Sequence, residues 1–182
     1  MTDLPRAVMR LADLSTRKPT PFALTPDADE RAAIAQALDL LGLPKLRFSG
    51  QIAPQGRSDW TLTAELGATA IQPCVVTLAP VTTRIDDPVA RTYVADLPDP
   101  DGAEVEMPED TSVEPLPAAI DLVDVMIEAL SLALPDFPRA ADATLDQTTF
   151  AAPGVAPMSD DDAKPFAGLA ALRDKLGDPP SE

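Results

Sequence analysis

The chain has 182 residues, room for one domain of the usual ~100 to 150 residues plus extensions, and too few for two full domains. It has no histidine and a single cysteine, which removes the usual neutral-pH general base, the Ser-His and Cys-His nucleophile pairs, the commonest metal ligand and any intrachain disulfide. The net charge of −16 is unevenly placed: residues 1–57 carry +2, residues 58–94 carry −2 and residues 95–182 carry −16.

A surface that acidic repels nucleic-acid phosphates, so only the N-terminal third can approach RNA without penalty. No apolar run approaches the ~20 residues of a membrane span. The opening stretch, MTDLPRAVMRLADLSTRK, mixes acids with bases and lacks the apolar core of a signal peptide, and Asp3 and Asp13 weigh against a transit peptide. One cysteine suits a reducing compartment. The expected location is cytoplasmic.

Residues 1–20 read as an N-terminal arm, locally basic through Arg6, Arg10, Arg17 and Lys18, with Phe22 and Leu24 beyond it alternating as strand positions do. Thr25-Pro26-Asp27 is a helix start, with Thr25 as N-cap, Pro26 in the first turn and Asp27, Asp29 and Glu30 at the positive end of the dipole. Ile34, Leu38 and Leu41 then give one apolar face, and Gly42 a stop, so a helix is expected over 27–41. KLRFSGQIA, residues 45–53, alternates as a strand, and Pro54-Gln55-Gly56-Arg57 is turn chemistry.

The chain is organised around residues 60–85, WTLTAELGATAIQPCVVTLAPVTTRI. Trp60, Leu62, Ala64, Leu66, Ala68 and Ala70 fall on alternate positions with threonines and Glu65 between them, the period of a half-buried strand. Pro73 ends that strand, and a second is expected over 75–85. Trp60 reads as a core anchor. Cys74 reads as a structural thiol, because Pro73, Val75 and Val76 offer nothing to lower its pKa.

Residues 95–117 hold five prolines and eight acids without a base, the composition of an acidic loop without regular structure. A second helix is expected over 118–134, where Ile120, Val123, Ile127, Leu130 and Leu134 step by three and four. Asp121, Asp124 and Glu128 make its polar strip, read as solvation rather than a metal site. Beyond Pro138 comes an acidic linker, then KPFAGLAALRDKL, whose Phe166, Leu169, Leu172 and Leu176 give a short amphipathic face. A helix of about three turns is marginal alone, so Lys164, Pro165, Phe166, Leu169 and Leu172 are the candidate partner-binding residues.

The expected fold is α+β: an antiparallel sheet of three or more strands packed with two helices, plus a flexible acidic C-terminal tail ending in a short amphipathic helix. The division is an arm at 1–20, an α+β domain at 21–138 with its acidic loop at 95–117, and a linker with tail helix at 139–182. No phosphate-cradling loop, nucleophile elbow or zinc-spaced cysteine pair is present, and no catalytic residue, cofactor or metal is assigned.

The order of PFAL, KLRFSGQI, DWTLTAELGATAIQPCVVTLAPV, IDLVDVMIEALSLALPDFP and KPFAGLAAL resembles the YceD-like family of large ribosomal RNA subunit accumulation proteins. In that family a cysteine ends the sheet strand, as Cys74 does. An acidic IDL helix closes on a Leu-Pro-x-x-Pro corner, here Leu134 to Pro138, and a Pro-Phe-x-x-Leu tail follows. Many members carry a second cysteine and a His or Cys at the positions held here by Thr77 and Ala140, so the resemblance brings over no metal site.

What it implies is a non-enzymatic role in accumulation or processing of large-subunit (23S) rRNA, in ribosome biogenesis. The partners implied are basic ribosomal or assembly proteins, with an indirect association with the large-subunit rRNA precursor and neither a membrane nor a small-molecule substrate. Three competitors stand beside it: an acidic protein-binding adaptor unrelated to ribosomes, an enzyme using Cys74, and a direct RNA binder using Arg6, Arg10, Arg17, Lys18, Lys45, Arg47 and Arg57.

Overall fold

The computed structural model describes residues 4–97, 112–144 and 151–158. The chain divides into two units, Met1–Ala143 and Thr144–Glu182. In the second, the described residues hold a turn closed by Val155 N–H donating to the Ala152 carbonyl at 3.0 Å, with Gly154 at φ 84°.

In the first unit β1 (Val8–Arg10) and a single 3-10 turn (Leu11–Asp13) precede β2 (Thr20–Leu24), α1 (Ala28–Ala37), β3 (Gly42–Gln55), β4 (Asp59–Pro73) and β5 (Pro80–Val94). After the acidic segment come β6 (Val113–Pro115), β7 (Ala119–Asp121) and α2 (Leu122–Ala133). The main sheet has the order β2-β3-β4-β5-β6, antiparallel except where β6 runs beside β5. The α+β architecture with two helices is therefore as expected, with more strands than the simplest reading.

Several boundaries differ for local reasons. The N-cap of α1 is Asp27, not Thr25: its carboxylate accepts from the N–H groups of Asp29 and Glu30, each at 2.9 Å, while Glu30 accepts from Asp27 N–H at 2.8 Å. That is a capping box. The helix stops at Ala37 because Asp39 takes a left-handed φ of 52° and Leu40 N–H reaches back to the Ala35 carbonyl at 2.8 Å, a Schellman closure made without glycine. Gly42 instead opens β3. The strand expected from Val75 begins at Pro80, because Cys74 N–H donates to the Ala79 carbonyl and Leu78 N–H to the Cys74 carbonyl. That turn consumes residues 75–79.

The acidic stretch expected to lack regular structure contains β6, whose Val113 pairs with Thr92; residues 98–111 lie outside the described residues. The arm is also structured in part, since β1 pairs with β7 from Val8↔Asp121 to Arg10↔Ala119 and Leu11 is buried.

Register decides the core. Leu46↔Ala68, Phe48↔Leu66 and Ile52↔Leu62 share one face of β3 and β4, and Ala68↔Ile85, Ala64↔Val89 and Trp60↔Tyr93 carry it onto β5. Every one of these side chains is buried. Phe48, Leu62 and Leu66 join Ile34 of α1 and Met126 and Leu130 of α2 in one cluster, each large side chain contributing about 1.5–3 kcal/mol on burial. Phe22 packs on Phe48 with ring centroids 5.4 Å apart, the tilted geometry aromatic pairs favour. Trp60 is a core residue, as expected.

Of the polar strip expected on the second helix, Asp124 and Glu128 stand exposed on α2, and Asp121 departs from it. Asp121 lies in β7 and caps α2, accepting from Val123 N–H at 3.1 Å and Ala7 N–H at 3.0 Å. Burial pushes its carboxyl pKa up, but these donors and Arg6 at 3.3 Å outweigh that and leave it below the usual range. Glu128 pairs with Arg91 at 3.0 Å, and Arg91 also holds Glu114 of β6 at 3.1 Å.

Candidate functional site

Cys74 lies where the β4–β5 turn meets the chain leaving α2. Pro135 and Pro138 prevent that chain from continuing the helix, and it runs back along the turn. Gln72 Nε2 donates to the Pro135 carbonyl at 3.2 Å and Val75 N–H to the Pro138 carbonyl at 2.9 Å. Ala140 N–H donates to Cys74 Sγ at 3.4 Å. Residues 74, 77 and 140, singled out by the family resemblance, thus converge on one sulfur.

The thiol is fully buried, yet its pKa is lowered from 9.0 to about 6. The Thr77 hydroxyl is the largest cause, followed by the N–H groups of Ala140, Thr77 and Val76, with burial opposing them. The expectation that its neighbours offer nothing to lower this pKa is corrected by these donors. None of them is legible as a hydrogen bond from residue type alone.

The buried sulfur and the hydrogen bonds around it tie the β4–β5 turn to the chain leaving α2, a staple between the sheet and the end of that helix. The corner does not fit a zinc ion, which takes three or four protein ligands: Thr77 and Ala140 leave one thiolate. Among the described residues no group of three or more Cys, Asp or Glu side chains is placed to hold a metal. Exposed apolar side chains flank the staple, Leu78 at 75 % and Phe137 at 81 %, and Leu78 adopts a left-handed φ of 60°, costly for a residue other than glycine.

The candidate partner-binding residues Lys164, Pro165, Phe166, Leu169 and Leu172 lie outside the described residues. The basic residues weighed for RNA contact are not gathered at one place. Arg6 is tied to Asp121, Arg57 sits in the β3–β4 turn, and Lys45 and Arg47 stand near the opposite end of β3. Arg31 and Arg84, which join Lys45 and Arg47 around one groove, escaped the sequence reading. For Arg84 the only signal is strand register, which places Thr69 opposite Arg84 and Gly67 opposite Arg47; Arg31 reaches the groove from α1.

No helix among the described residues is long and apolar enough to cross a membrane. No curated protein and no solved structure matches the chain. A family model described as large ribosomal RNA subunit accumulation protein YceD matches residues 62–173. That span takes in most of β4, all of β5, the Cys74 staple and α2, and the family is named for an accumulation factor rather than an enzyme. The chain belongs to the YceD family.

Proposed function

We propose that the protein is a non-enzymatic factor promoting accumulation or processing of large-subunit (23S) ribosomal RNA, working in the cytoplasm through basic ribosomal or assembly proteins. The observation that carries this reading is the family match over residues 62–173. The charge distribution supports it, because the −16 carried by residues 95–182 favours encounter with basic proteins by long-range attraction. Lys164, Pro165, Phe166, Leu169 and Leu172 are the proposed contact, an amphipathic stretch suited to a groove on a partner.

Deletion of the gene, followed by sucrose-gradient profiles with rRNA quantified, tests the function. The expected result is a reduced large-subunit peak and less 23S than 16S rRNA; an unchanged ratio favours an adaptor unrelated to ribosomes. Phe166→Ala combined with Leu169→Ala is expected to abolish co-purification of large-subunit precursors, and unchanged co-purification removes the tail as the contact.

A further inference from the structure

The outer face of the sheet carries a groove of about 560 Å³ whose lining includes Arg31, Lys45, Arg47 and Arg84 and no acidic residue. In a chain of net charge −16, four cations around one opening are a local reversal of sign. Register produces it: Arg47 faces Gly67 across β3 and β4, Lys45 faces Thr69, and Thr69 faces Arg84 across β4 and β5. Alternation puts all five on the side of the sheet away from the core.

Gly67 shapes the floor. A Cβ there would stand 2.6 Å from Arg47 Nε and 3.2 Å from Arg84 Nη2, so both guanidiniums reach over the same bare piece of backbone. Among the described residues one carboxylate is paired with them. Asp86 takes two hydrogen bonds from Arg84, one of them from Nε at 2.7 Å, and acts on Arg47 only through space. Lys45 and Arg47 have no hydrogen-bond or ion-pair partner among the described residues. Arg31 is held in place by the carbonyls of Pro26 at 2.6 Å and Leu43 at 3.2 Å, which fix its guanidinium without neutralising it.

Planar guanidiniums and an ammonium arranged around an open groove match the oxygens of phosphodiesters. No aromatic ring lines the groove, so it offers no stacking platform and suits phosphates rather than bases. We propose that the groove of Arg31, Lys45, Arg47 and Arg84 over Gly67 binds the phosphate backbone of an RNA strand, without regard to sequence. That the strand belongs to large-subunit rRNA rests on the function proposed above.

The test is binding of a labelled single-stranded oligouridylate to the full chain across a salt series. Lys45→Glu with Arg47→Glu is expected to weaken binding at least about tenfold and to reduce the slope of log affinity against log salt by about 1.4, two single-strand phosphate contacts at ~0.7 each. Arg17→Glu with Arg57→Glu makes the same change of net charge on exposed loops and is expected to leave the slope unaltered. Equal losses from both pairs, or no binding by the wild type, overturn the proposal. So does displacement of the RNA by millimolar inorganic phosphate with no gain in affinity as the RNA lengthens, which marks a free-anion site.

Rescue of the deletion strain separates the two proposals. Groove variants that fail to bind RNA but restore 23S rRNA sink the assignment to rRNA and leave the function standing. Groove-dependent RNA binding in a protein whose deletion leaves rRNA unchanged does the reverse.

Discussion

The two broad faces of the β3–β4–β5 sheet are made by alternate residues of the same strands, yet they do different work. One carries Phe48, Leu62, Leu66 and Ile85 into the core; the other carries Lys45, Arg47, Thr69 and Arg84 to solvent. Stability is concentrated on the first and charge on the second, so substitutions one residue apart should report on different properties.

Two glycines of the sheet, Gly50 and Gly67, give the sharpest form of that contrast. A Cβ at Gly50 would lie 2.1 Å from the Thr63 carbonyl oxygen and 2.5 Å from Ala64 Cα, both backbone, so β3 and β4 have to separate to admit it. Gly50→Val is expected to cost more than about 4 kcal/mol, seen as loss of the cooperative thermal transition. Gly67→Ala meets no backbone but only flexible arginine side chains, Arg47 at Nε and Cγ and Arg84 at Nη2, and is expected to cost no more than about 1 kcal/mol. Comparable damage from the two removes the distinction.

Phe48→Ala should lose about 3–5 kcal/mol in urea unfolding, because the ring is fully buried and packed on Phe22. Its neighbour Arg47→Ala should stay within about 0.5 kcal/mol. Arg91 interrupts the core face near the edge of the sheet, tying β5 to β6 and α2; with both partners half-exposed, Arg91→Ala should cost about 1 kcal/mol.

A dependence on pH is expected as well. Cys74 in the folded chain titrates at about 6, below its ordinary 9.0, so the folded state favours the thiolate. The resulting stability is fully present above pH 9 and is lost as the pH falls toward 6. Thiolate absorbance should titrate near 6 in the native protein, and Cys74→Ala should remove this component of the pH dependence of stability. A native midpoint near 9 contradicts the hydrogen-bonded thiolate.

Much of the fold was legible because β3 and β4 alternate cleanly and α2 repeats at three and four. What escaped depended on distant partners or on register. Val75 and Val76 have strand-like side chains, but the hydrogen bonds of Cys74 and Leu78 close a turn over them. The segment holding Val113 is too acidic and too rich in proline to suggest a strand, and β6 forms because β5 offers an edge to pair with. Asp121 looked like one of three solvated acids until Ala7 N–H was brought to it. The basic groove draws on α1 and three strands, so composition registered Arg31, Lys45 and Arg47 only as part of a diffuse N-terminal excess and Arg84 within a segment of net negative charge.

The pairing of β1 with β7 brings Ala7 and Asp121 together across a separation of 114 residues. On a ribosome β1 emerges well ahead of β7 and must wait for it until β2 to β6 have been synthesised. Closure of this small ladder is accordingly a late event in maturation, since contacts between distant parts of a chain form slowly. An N-terminal truncation that removes it should deprive Leu122, the first residue of α2, of the Ala7 carbonyl that its N–H donates to.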